Sequence, residues 1–150
     1  MVRRLLIIAV LSACGGSEPT TTCGVRVQWS RDDELNMAVL NRVEAEYVKA
    51  ADREVGSGTC AALSGWTVEF SNEERWDFLW WHWGGWTGGW YSVVNRTETW
   101  MESTYCHEMS HALQKVREGT ESPNHDGVWV SHGYREASSD CVNELWRADL

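Results

Sequence analysis

Residues His107-Glu108-Met109-Ser110-His111 form an HExxH pentapeptide, and no other feature limits the possible folds of this chain as tightly. On a helix, four-residue spacing puts two imidazoles one turn apart on the same face. Two rings so placed can share one metal ion, and zinc is the ion expected. Glu108, beside the first histidine, then stands where a carboxylate can take a proton from a water activated by that ion. That is the general-base role in metal-assisted hydrolysis. The alternative is a surface helix with two solvated histidines, and the residues around the motif favour the metal.

The rest of the chain supplies a frame for such a helix. Val25, Val27 and Trp29 alternate with polar residues, as does the run Trp66, Val68 and Phe70, and both read as half-buried strands. Between them, Asp32, Asp33 and Glu34 suit a helix start, and Leu35, Val39, Val43 and Val48 continue at helical spacing to about Arg53 before Gly56-Ser57-Gly58. A third strand is expected over Tyr91 to Thr99. The motif helix is expected over Met101 to Glu118, with Ser103 or Thr104 as its cap and Gly119 just past its end. A last helix is expected from about Tyr134 to Arg147. The order is strand, helix, strand, strand, helix, loop, helix, which is an α+β arrangement.

The N-terminus reads as an address. Arg3 and Arg4 precede the apolar run Leu5 to Leu11, which Leu11-Ser12-Ala13-Cys14 closes. This resembles a bacterial lipoprotein signal with its lipobox. The resemblance implies that Cys14 is lipidated and becomes the first residue of the mature chain, anchored to a membrane of the cell envelope. Gly15 after the cysteine leans the location towards the outer membrane, on its periplasmic or surface face. The apolar run itself is far shorter than the about 20 residues that span a bilayer. The domain expectation is therefore a signal over 1–14, a Gly, Ser, Thr and Pro tether over 15–22, and one folded domain over 23–150.

Composition narrows the partners. The formal charge is -9, and it becomes more negative when Arg3 and Arg4 leave with the signal, so nucleic acid is excluded as an expected partner. Oligomeric state is not indicated. With Cys14 assigned to lipid, Cys23, Cys60, Cys106 and Cys141 remain, an even number in an exported chain, which suggests two disulfides. Three connectivities are open; Cys23 with Cys60 and Cys106 with Cys141 is favoured, since each would tie neighbouring elements.

The element order resembles the compact core of zincin metallopeptidases. That resemblance implies a small mixed or antiparallel sheet backing the HExxH helix, an edge strand beside a cleft, a C-terminal helix, and hydrolysis of peptide bonds in a peptide or protein substrate. A catalytic zinc needs three protein ligands with a fourth position open. The metzincin pattern would require Gly and His where this chain has Gln114 and Arg117, so that family is excluded. The run Pro123-Asn124-His125-Asp126-Gly127-Val128-Trp129 is similar to the third-ligand segment of SprT-like and WLM-like zinc metallopeptidases, which implies His125 as the third ligand. A turn at Gly119 and six extended residues, about 20 Å of chain, let His125 reach back to the motif. A rival lies in Arg135-Glu136-Ala137-Ser138-Ser139-Asp140, which is similar to the thermolysin-type helix that supplies a glutamate ligand. It would make Glu136 the third ligand and Asp140 a partner that orients a ligating histidine. His132, Tyr134 and Arg135 are candidate donors to the developing oxyanion.

Six of the eleven tryptophans (Trp76, Trp80, Trp81, Trp83, Trp86, Trp90) fall in one Gly-rich stretch that fits neither a helical face nor a strand alternation. Such a patch serves substrate recognition, sugar stacking or interfacial contact, or else covers the sheet. It supports a second hypothesis, a non-catalytic envelope lipoprotein that binds glycan or protein through its tryptophans.

Overall fold

The computed structural model describes residues 18–71, 85–88, 91–94, 101–120, 122 and 124–148. The signal over 1–14 with Cys14, most of the tryptophan stretch, and residues 95–99 of the third expected strand lie outside these. Among the described residues the elements are β1 (Arg26–Ser30), α1 (Met37–Glu54), α2 (Thr59–Leu63), β2 (Thr67–Ser71), β3 (Gly85–Gly88), β4 (Tyr91–Val94), α3 (Met101–Glu118), α4 (Val128–Ser131) and α5 (Tyr134–Ala148). The α+β class is observed, with a mixed four-stranded sheet ordered β1-β2-β4-β3. β1 and β2 run parallel, as do β2 and β4, and each parallel step is crossed by intervening chain. β3 returns antiparallel at the edge, pairing Thr87 with Ser92.

Residue-level chemistry explains where these elements differ from expectation. The first helix starts later than its acidic cluster, because Asn36 is the residue whose side-chain oxygen accepts from the backbone N–H groups of Ala38 (3.1 Å) and Val39 (3.2 Å). Asp33 is used in the preceding turn instead, paired with Arg31 and accepting at its carbonyl from Trp29 Nε1. The inner face of α1 is Leu40, Val43, Glu44, Tyr47, Ala50 and Ala51, so of the expected stripe only Val43 is buried and Val39 faces out. Ser103 and Thr104 lie inside α3 and do not cap it. α5 matches its expected span to within a residue.

The core joins sheet to helices. Val25 just before β1, with Val27, Val68, Phe70 and Val94 from the strands, meets Tyr105, Met109, Ala112 and Leu113 from α3 and Tyr134, Ala137 and Leu145 from α5. Phe70 is central, lying against Trp29 at 5.1 Å and stacked on Tyr105 at 6.1 Å. Burying a side chain of this size stabilises by roughly 1.5–3 kcal/mol. α1 packs on α5 and α3, while α3 also lies against β3 and β4. α5 enters at Gly133, whose φ of +83° favours glycine, and a Cβ there would stand 2.5 Å from the Glu54 carbonyl oxygen.

Two disulfides have the favoured connectivity. Cys23–Cys60 joins the segment before β1 to α2, and Cys106–Cys141 joins α3 to α5 beside His107. The end of the expected tether is fixed in the fold: Pro19 accepts from Val27 N at 2.8 Å, and the buried Thr21 donates its hydroxyl to Glu44. Glu44 is itself buried, with the Cys23 N–H (3.0 Å) as a further donor, so a threonine read as linker satisfies an interior carboxylate. No helix of the described residues is long and apolar enough to cross a membrane.

Candidate metal centre

α3 carries the motif on its inner side because its other inward positions, Tyr105, Met109, Ala112 and Leu113, are apolar and lock it into the core. One helical turn then sets His107 against His111, with Nε2 atoms 3.2 Å apart. The helix ends at Gly119, whose φ is +70° and whose N–H still reaches the Lys115 carbonyl at 3.0 Å. The following loop turns back through Ser122 and brings His125 to the same point. His125 Nε2 lies 3.0 Å from that of His111 and 2.9 Å from that of His107. His125 holds a φ of +56°, a left-handed backbone that histidine tolerates better than most side chains.

These three histidines could hold a metal ion, their ligand atoms all lying within 4.8 Å of one another. The donor set fits the group: a tetrahedral ion 2.0–2.1 Å from each nitrogen would separate its ligands by roughly 3.3 Å, a few tenths of an ångström more than the observed spacings. Three imidazole nitrogens converging on one point suit a divalent ion that favours imidazole.

One wall of the site is Trp129, 2% exposed, which stacks on the His111 ring at 4.1 Å and 26° and lies 5.5 Å from His107 and 5.1 Å from His125. Burial of two of the rings has an electrostatic consequence. Desolvation, then the nearby His125, lowers the His107 pKa to about 4. Desolvation, then His107 and His125, lowers that of His111 to about 3. Both rings are therefore neutral at neutral pH, the state in which an imidazole can ligate.

Glu108 is 3% exposed and stands outside the trio. Its Oε2 accepts from the Thr87 hydroxyl at 2.6 Å, and the same hydroxyl lies 3.2 Å from the Glu108 carbonyl oxygen. Thr87 Oγ1 is 2.8 Å from Ser92 Oγ, which accepts from Trp66 Nε1 at 2.9 Å. An indole N–H only donates. With the Thr87 proton given to Glu108, the Ser92 proton is left for Thr87, and the row from Trp66 leads to the carboxylate.

The other sequence candidates are placed elsewhere. Glu136 pairs with Arg135 and does not belong to the trio, whose third member is His125. Asp140 pairs with Arg53 of α1, not with a histidine. His132 and Tyr134 both meet Glu118 Oε1 at 3.0 Å, which holds the Glu118 carboxyl below its ordinary range. Arg135 is engaged with Glu136. Thr87, Ser92, Trp129 and Gln114 frame the site beyond the motif. Trp129 had a signal, an aromatic four residues after His125, while Thr87 was hidden between glycine pairs. In comparisons with known proteins, the chain matches no family model, no curated protein and no solved structure.

Proposed function

We propose that this protein is a zinc-dependent peptidase of the zincin type, held at a bacterial cell envelope by a lipidated Cys14. One observation carries the reading: three imidazole nitrogens converge within 3.2 Å beside a buried carboxylate that accepts from Thr87. A purely structural histidine cluster would have no use for Glu108 next to it.

His107, His111 and His125 would hold the ion. Zinc, when bound, supplies Lewis acidity towards water and a substrate carbonyl. Glu108 accepts the proton of the attacking water and returns it to the leaving amine, so that the amide C–N bond breaks as the C–O bond forms. Thr87 keeps the carboxylate oriented for this through its bond to Oε2. Trp129 stacks on the His111 ring and lies beside that of His107, the two rings whose burial favours their neutral form. The cross-strand pair Thr87 and Ser92 links the base to the edge of the sheet, where a peptide would be presented.

The reading is tested with the purified full chain, zinc-loaded, on a mixture of unstructured peptides. Cleavage that stops in Glu108→Gln while zinc stays bound supports it. Absence of cleavage by protein that does hold zinc overturns the peptidase assignment and leaves a metal-binding protein.

A further inference from the structure

Gln114 sits one turn beyond the motif, on the helix position where a glycine would be needed for another ligand pattern, and it is fully buried. Its amide makes two bonds to a single residue of the returning loop. Nε2 donates to Ser122 Oγ at 2.9 Å, and Oε1 accepts from the Ser122 backbone N–H at 3.1 Å. The Ser122 carbonyl then accepts from the His125 N–H at 2.9 Å. A path of three consecutive bonded residues thus runs from α3 to the third imidazole.

Two-point attachment sets both the distance and the rotation of Ser122 relative to α3, which a single bond or a glycine turn cannot do. The glycines at 119 and 127 let the chain reverse, but they leave its register free. His125 also holds a left-handed φ of +56°, which costs energy and persists only where the surroundings impose it. The clasp supplies that constraint three residues upstream.

We propose that Gln114 is a positioning residue of the metal centre, its clasp on Ser122 holding His125 within reach of His107 and His111 before any ion arrives. The proposal rests on the trio being a metal site. It adds that metal affinity depends on a residue that touches neither ion nor ligand. Preorganised ligands bind without first ordering a loop, and outer partners of ligands typically carry 10- to 100-fold in metal affinity.

The experiment measures zinc affinity by competition against a chromophoric chelator, and the visible spectrum of the cobalt-loaded form, for the full chain. Gln114→Met keeps the volume and removes the amide; its zinc affinity is expected to fall about 10- to 100-fold, with weakened cobalt bands as His125 departs. Ser122→Ala removes one of the two bonds at a partly exposed loop residue, is expected to weaken zinc less, and carries the test should Gln114→Met not fold. The same substitutions in a His125→Ala background separate positioning from general loosening of the fold. No further loss of affinity there is expected. An equal loss in that background, or unchanged affinity in Gln114→Met and Ser122→Ala, overturns the clasp while leaving the metal centre intact. A wild-type chain that binds neither zinc nor cobalt overturns the metal centre and the clasp together.

Discussion

The Thr87 hydroxyl donates to Glu108 Oε2 across 2.6 Å, joining the edge strand of the sheet to the residue beside the first histidine of α3. A hydrogen bond to a charged group contributes roughly 1.5–3 kcal/mol. Thr87→Val, which keeps the shape and removes the donor, is therefore expected to lower kcat about 10- to 100-fold with zinc content unchanged. Thr87→Ser restores most of it. Steady-state kinetics on one peptide, with metal analysis of each variant, decides this; a Thr87→Val variant with wild-type kcat would show that the bond does not position the proposed base.

Removing the proposed base itself is expected to have a larger effect. Glu108→Gln is close in shape and cannot take up the proton, so kcat is expected to drop by about a hundredfold to ten-thousandfold. Zinc stoichiometry should stay at the wild-type level, because the carboxylate lies outside the trio of ligands. Loss of zinc along with activity would place Glu108 in a different role.

Acid should destabilise the metal-free protein through its histidines. His107 and His111 are held at about 4 and about 3 in the folded chain, against about 6.5 when unfolded. Below pH 6.5 the unfolded chain therefore binds protons that the folded chain refuses, and stability falls as pH falls through that window. The loss continues until the folded groups titrate near 4 and 3. Urea unfolding of chelated protein at pH 7 and pH 5 tests it above the main carboxylate range. The decrease should be larger in wild type than in His111→Gln, and equal decreases would mean that the buried ring is not the cause.

Glycine at 133 is required by two features at once, a φ of +83° and the Glu54 carbonyl 2.5 Å from where a Cβ would be. Gly133→Ala is expected to destabilise by more than about 1 kcal/mol, with α5 displaced from the end of α1. A melting temperature equal to wild type would show that the junction yields freely.

The disulfides offer a further check. Each closes a loop with sequence separation 37 or 35, and chain entropy puts the stabilisation near 4 kcal/mol per bridge. Cys106→Ser with Cys141→Ser should lower stability on that scale and also weaken metal binding, since Cys106 adjoins His107. Cys23→Ser with Cys60→Ser should cost stability with metal affinity retained. Denaturant titration and zinc competition on both pairs make the comparison, and equal metal loss in the two would contradict it.

Parts of the centre are legible in the sequence because they depend on local periodicity. The four-residue spacing of His107 and His111 needs only a helix, and Gly119 signalled the turn that brings His125 back. Glu136 and Asp140 had the right spacing for a metal role, but their partners, Arg135 next door and Arg53 on α1, decide their use, and a contact 87 residues away has no local signature. β3 was hidden for a related reason. Gly85–Gly88 has almost no side-chain pattern, and its register comes from backbone pairing with β4, which then delivers Thr87 to Glu108. Glu44 reads as an ordinary outward helix position. It is buried on the inner face of α1, where Thr21, from a segment of linker composition, donates its hydroxyl to it and the Cys23 N–H adds a second bond.

Metal analysis of freshly purified, never-chelated protein bears on all of this at once. One zinc per wild-type chain, with occupancy largely lost in His125→Ala and unchanged in Glu136→Ala, is the expected result. A wild-type chain without a transition metal, or one whose zinc survives His125→Ala and leaves with Glu136→Ala, would contradict the three-histidine centre.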